Sequence, residues 1–299
     1  MSTARGAPPG PRPAAALAPE DSELSYALRL RVAGARPGRH AGRRMDGSDA
    51  FRGHLPFWQL PDARRLDLRR SALDPFGTLM VRRLEQRASV QVFVLGDLSA
   101  SMNPGAQDDK LAMLGQLVAA LGRAAERSGD AFGFLGFAET VLPGFHQPAT
   151  RRRGAAQEIA EQLRGFVPEG RSIAGLMEAV ALLGPRPRLV VLASDFLAPL
   201  EPLQAALAAL HRHDVVPVVL RSAAETHPPP RFGLLRLRDA ESGATRLLLM
   251  RPALQRAWQA AAREREAALT RLLAGSGRAP FVATGRLDLA RLAEHLVAS

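Results

Sequence analysis

Residues 90–101 read VQVFVLGDLSAS. The first six are apolar and rich in valine, with Gln91 the exception. A run of that kind is a strand buried on both faces, as in a parallel sheet. Asp97, Ser99 and Ser101 follow at once in a D-x-S-x-S turn. Beyond them Leu111, Leu114, Leu117, Val118 and Leu121 recur at helical spacing, which predicts an amphipathic helix over Leu111–Ala125. Buried strand, polar turn and helix are the opening of a βαβ unit.

The same alternation continues downstream. Ala131–Ala138 (AFGFLGFA) reads as a strand, Ala155–Phe166 and Ile173–Leu183 as helices, and Arg188–Ala193 (RLVVLA) as a second buried strand. Leu200–His211 is a further helix and Val215–Leu220 a further strand. Strands alternating with helices predict an α/β domain, a doubly wound and mostly parallel sheet, over residues 89–299. A hairpin-like pair, Leu234–Leu237 and Arg246–Met250 around Asp239–Gly243, is added to it. A helix opening at Pro252 and running to about Leu273 follows. Phe281–Ala283 and Leu287–Val297 read as a last strand and helix, with Trp258 expected in the core.

Upstream, residues 1–24 are rich in Pro, Ala and Gly and are expected to form a disordered tail. Residues 25–88 are expected to pack on the core as an N-terminal extension. Tyr26–Val32 alternates as a half-buried strand, and residues 34–80 read as an irregular segment anchored by Phe51, Phe57, Trp58 and Phe76.

Composition closes several routes. The 299 residues contain no cysteine, which excludes disulfides, thiolate metal sites and cysteine nucleophiles and fits a reducing, cytoplasmic setting. The net charge is +11, but Lys110 is the single lysine and the other basic residues are arginine. That bias, with heavy Ala, Gly and Pro usage, is the imprint of a GC-rich genome and weakens the argument for a nucleic-acid partner. One lysine, placed after Asp108-Asp109, excludes the G-x-x-x-x-G-K-[ST] phosphate loop. No apolar run is long enough to span a membrane.

Sites in open α/β sheets form beyond the carboxyl ends of the strands. Asp97, Ser99 and Ser101 follow the first core strand, Ser172 precedes the Ile173 helix, and Asp195 follows Arg188–Ala193. Two carboxylates and three hydroxyls are hard oxygen donors, and without sulfur or imidazole they select Mg²⁺, or Mn²⁺ or Ca²⁺, over zinc. Taken singly, D-x-S-x-S also serves as a turn and Asp195 as a helix N-cap. His211, His213 and the Arg151-Arg152-Arg153 run read as a helix terminus and solvated surface, and Lys110 as a residue on the rim.

The strand with DLSASM resembles the metal-ion-dependent adhesion site (MIDAS) of von Willebrand factor A-type domains. That resemblance implies a divalent ion held by Asp97, Ser99, Ser101, Ser172 and Asp195, with an open position for a carboxylate of another protein. The chain as a whole is similar to domain-of-unknown-function family 58. The resemblance is carried by Phe51, then Pro61-Asp62-Ala63-Arg64-Arg65-Leu66-Asp67-Leu68, then Ala72, and by the late Asp239-Ala240-Glu241-Ser242-Gly243 turn. Gly96 stands where the family pattern has an apolar residue, Ser172 where it has Thr, and Leu68 where it has Trp. The resemblance implies a non-enzymatic interaction module with an acidic protein partner, acting beside a MoxR-type AAA+ ATPase. Two other readings compete. One is a metal-assisted phosphohydrolase using Asp97 and Asp195; no general acid stands near them in the sequence. The other is arginine-mediated nucleic-acid binding, which lacks interleaved aromatics.

Overall fold

The computed structural model of the chain describes residues 24–26, 37–41, 50–85, 87–102, 110–223, 225, 230–238, 245–275 and 277–298. Its centre is a six-stranded sheet. The strands are β5 (Gln91–Asp97), β6 (Ala131–Phe137), β7 (Val141–Thr150), β8 (Leu189–Ser194), β9 (Asp214–Arg221) and β12 (Phe281–Thr284), in the order β12-β9-β8-β5-β6-β7. All neighbours are parallel except the β6–β7 pair at one edge.

Side-chain alternation builds two cores from these strands. Val92, Val94, Phe132, Phe134, Val191, Val216 and Val218 face α2 (Lys110–Ser128), α3 (Ala155–Gly165) and α7 (Leu289–Ala298). Phe93, Leu95, Leu135, Phe137, Val190, Leu192 and Val219 face α4 (Gly175–Leu183), α5 (Leu200–Ala209) and α6 (Pro252–Ala274). Helices thus cover both faces, which is why the strands are apolar at almost every position. Leu114, Leu117, Val118 and Leu121 are fully buried and form the stripe of α2 that the spacing predicts. Among the described residues no helix is long and apolar enough to cross a membrane.

Outside the sheet, β10 (Gly233–Arg238) and β11 (Thr245–Met250) form the expected hairpin, its Asp239–Gly243 turn lying outside the described residues. The expected tail lies outside them too, apart from Leu24, and so does all of the proposed Tyr26–Val32 strand except Tyr26, which is not in a strand. Leu24 and Tyr26 are buried in the first core. The Tyr26 hydroxyl donates to Asp130, and Arg127 donates to the Leu24 carbonyl at 2.9 Å. Burial and the Asp130 charge hold the Tyr26 phenol well above its usual range.

The stretch read as irregular contains ordered pairs instead. β1 (Pro37–Ala41) pairs with β4 (Arg87–Ala88), and β2 (Ala50–Pro56) with β3 (Met80–Glu85), both antiparallel. Phe51, Trp58 and Phe76 are 58%, 69% and 90% exposed, so they do not anchor this region as expected. Its order comes from polar contacts: Asp67 caps α1 (Leu68–Ala72) through the Arg70 N–H and accepts from His54 and Arg82 at 3.0 and 2.9 Å. Those donors hold the Asp67 carboxyl well below the usual range, the backbone N–H first among them. Trp258, expected in the core, is 39% exposed on α6.

The C-terminal strand and helix are tied on by a buried ion pair. Arg278 grips Asp214 with Nε and Nη2, each at 2.7 Å, and donates from Nη1 to the Leu296 carbonyl at 3.1 Å. Removing the guanidinium strands a buried carboxylate, so Arg278→Met should cost about 3–5 kcal/mol in urea unfolding. Arg152→Ala, which breaks an exposed and solvent-screened pair with Glu158, should cost far less in the same assay. Equal losses in the two variants would contradict this reading of the Arg278 clamp.

Candidate metal centre

The chain leaves β5 through α2 toward β6 on one side, while β8 leads through α5 to β9 on the other. The switch point of the sheet therefore lies between the carboxyl ends of β5 and β8, where such sheets open a crevice. Asp97 is the last residue of β5, and Asp195 is the first residue after β8. Gly96 pairs with Ala193 in register, which sets Ser194 beside Asp97. A Cβ on Gly96 would stand 2.8 Å from Phe134 Cζ and 3.2 Å from Leu114 Cδ2. Glycine before Asp97 is therefore the consequence of the aromatic ring on the neighbouring strand.

Each carboxylate is held by short-range donors. Asp97 accepts from the Ser99 N–H at 2.9 Å on Oδ1 and from Ser194 Oγ at 2.6 Å on Oδ2. The Ser99 and Ser101 hydroxyls lie 3.1 Å apart. Asp195 accepts from the Leu197 N–H at 3.0 Å and from Lys110 Nζ at 2.8 Å. The loop after Asp195 is fixed from two sides. Phe196 takes a left-handed φ of 54° and donates its N–H to Ser194 Oγ at 2.9 Å. Arg265 on α6 donates to the carbonyls of Phe196, Leu197 and Ala198 at 3.0, 2.7 and 2.7 Å.

Asp97, Ser99, Ser101, Ser194, Asp195 and Lys110 are all buried. Burial first, and then the charge of Asp195, push the Asp97 carboxyl up to about 6, against the opposing pull of its hydrogen bonds from Ser194 and Ser99. Lys110 Nζ also contacts Glu225 at 2.5 Å and donates to the Ser101 carbonyl at 3.1 Å. An ammonium thus lies against Asp195 and the Ser101 backbone, inside the crevice and not on its rim as the sequence suggested.

Of the five residues singled out in the sequence, Asp97, Ser99, Ser101 and Asp195 come together at the switch point. Ser172 lies on the adjoining loop. Gly170 bridges to Ser99, and its carbonyl accepts from the Ala100 N–H at 2.7 Å. Ser172 itself is half-buried, and its hydroxyl accepts from the Ala174 N–H at 3.4 Å; among the described residues it makes no hydrogen bond to the other four. Sequence reasoning missed Ser194, Arg265, Glu225 and the burial of Lys110. Lys110 does carry a signal: it precedes Leu114, Leu117 and Leu121 by four, seven and eleven residues, on the apolar stripe of α2.

The donor chemistry fits a hard divalent cation. Two carboxylates and two neighbouring hydroxyls share the crevice, all of them oxygen donors; among the described residues no group of three or more His, Asp or Glu side chains is gathered to hold a metal, here or elsewhere. A buried carboxylate beside a second one is a site where positive charge stabilises.

The raised Asp97 carboxyl predicts a pH signature in metal-free protein. Unfolded Asp releases its proton near pH 3.9, whereas folded Asp97 keeps its proton to about 6. The contribution of this group to stability is therefore fully present below about pH 4 and is lost as pH rises through about 6. In chelator, Asp97→Asn should gain stability relative to wild type between about pH 4 and pH 7, read by urea unfolding. A pH-independent difference between the two would contradict the assignment.

Comparison with known proteins gives the chain its family. The family model "Protein of unknown function DUF58" matches residues 60–268, well over half of the chain. A Paracoccus denitrificans protein described as an uncharacterized protein in the moxR 3' region is 42% identical over 93 residues, 31% of this chain and 89% of its own. An aerotolerance-related membrane protein from Bacteroides fragilis aligns with 70% of this chain and 96% of its own, at 17% identity and a TM-score of 0.45. Proximal thread matrix protein 1 from the mussel byssus, with a zinc-occupied MIDAS motif, aligns over 44% of this chain and 38% of its own, at 20% identity and a TM-score of 0.35. The chain belongs to the DUF58 family.

Proposed function

We propose that the chain is a non-enzymatic, divalent-metal-dependent protein-interaction module that works with a MoxR-type AAA+ ATPase in complex assembly. The observation that carries this reading is the placement of Asp97 and Asp195 side by side at the switch point, with the Ser99 and Ser101 hydroxyls in the same crevice. On this reading Asp97, Ser99, Ser101, Ser172 and Asp195 hold Mg²⁺, or Mn²⁺ or Ca²⁺, as in the MIDAS of von Willebrand factor A-type domains. When bound, the ion offers an exchangeable position to an oxygen ligand, here an Asp or Glu of the partner. The link to the ATPase rests on the Paracoccus denitrificans relative, whose description places it in the moxR 3' region.

The residues at the mouth suit an acidic partner. Arg171 is exposed next to Ser172, and its backbone N–H donates to Glu139 at 3.1 Å. A positive group at the rim speeds encounter with a negative surface more than it deepens affinity.

The test is capture of a MoxR-type AAA+ ATPase, in Mg²⁺ and in chelator. Wild type should capture it only with Mg²⁺, Asp97→Ala should not capture it at all while still unfolding cooperatively, and Arg171→Ala should mainly slow association and flatten its salt dependence. Equal capture by Asp97→Ala in Mg²⁺ and in chelator would place the interaction away from this crevice.

A further inference from the structure

Lys110 is the single lysine of the chain, and it is spent inside the core. It lies in the first described turn of α2. Its side chain is wholly buried, a placement that a charged group tolerates only when paired. The pairing is with Asp195 at 2.8 Å, the Ser101 carbonyl at 3.1 Å and Glu225 at 2.5 Å. Two of these three partners belong to residues that the proposed function assigns to the metal.

We propose that Lys110 is a tethered cation that holds the crevice closed to a divalent ion, so that loading the ion requires the ammonium to leave Asp195 and fall back on Glu225. This rests on the metal-dependent reading above. The charges set the exchange. Asp97 and Asp195 are two buried carboxylates that repel one another, and Lys110 relieves that repulsion without any ion. A divalent ion bound to Asp195 would meet an ammonium already hydrogen-bonded to the same carboxylate, and two cations on one carboxylate oppose each other. Glu225 offers the alternative seat. Its side chain is 29% exposed, it borders the crevice beyond β9, and it already touches the ammonium. Retreat of Lys110 toward Glu225 keeps the ammonium paired while freeing an Asp195 oxygen. The site would then exist in two charge-balanced states, one closed by lysine and one open to a partner carboxylate.

A lone lysine makes the experiment direct. In protein labelled with ¹³C,¹⁵N-lysine, the side-chain signals come from Lys110 alone and can be followed as Mg²⁺ is added. Saturable movement of the Lys110 signals in wild type, absent in Asp97→Ala, is the expected result. In parallel, free Mn²⁺ measured by electron paramagnetic resonance should show Lys110→Met binding about tenfold tighter or more than wild type, because the competing cation is gone. Should Lys110→Met fail to fold, the wild-type titration decides alone. Metal binding to wild type with unmoved Lys110 signals, or with no gain in Lys110→Met, overturns the lysine proposal and leaves the metal site standing. No Mg²⁺ effect in wild type together with no Mn²⁺ binding by Lys110→Met overturns both.

Discussion

Two carboxylates are buried close together in one crevice, and the surrounding structure is organised to make that tolerable. Parallel order and register put the ends of β5 and β8 side by side, so Asp97 and Asp195 cannot avoid one another. Neutral donors from Ser194 and the Ser99 and Leu197 backbones take up part of their negative charge, and Lys110 supplies the one direct cation given to Asp195 among the described contacts. Arg265 then fixes the loop that carries Asp195 through three carbonyls. Phe196 holds a left-handed backbone there, a conformation that persists in a non-glycine residue only where the surroundings over-determine it.

The opposite edge of the sheet solves a similar problem differently. Asp214 at the start of β9 is gripped by both arms of Arg278, and the pair is closed within the protein. That arrangement has the geometry of a clamp, and it fastens the last strand and helix to the sheet. At the carboxyl edge the donors to Asp97 among the described residues are neutral, and burial with its neighbour's charge pushes it up to about 6.

Much of this was legible in the sequence because it follows from periodicity. Almost wholly apolar stretches such as Val90–Leu95 and Arg188–Ala193 announce a sheet covered on both faces, and the strand-end position of Asp97 and Asp195 follows from that. The N-terminal pairs were not legible, since AFRGHLP and MVRRLE carry no clean alternation and their order comes from the Asp67 contacts. Aromatic residues misled there: Trp58 and Phe76 look like anchors by type, yet both face solvent. Lys110 reads as a rim residue by its charge, but its helical phase puts it on the apolar side of α2. Its place on the stripe of Leu114, Leu117 and Leu121 outweighs its polarity, and the buried carboxylate makes that possible.

The central claim is that this crevice accepts a divalent ion on Asp97 and Asp195. Anomalous diffraction from crystals grown with Mn²⁺ tests it most directly. The account predicts one strong peak bounded by Asp97, Ser99, Ser101 and Asp195, with Lys110 Nζ moved off Asp195. An empty crevice under saturating Mn²⁺, with the ammonium still on Asp195, would contradict it.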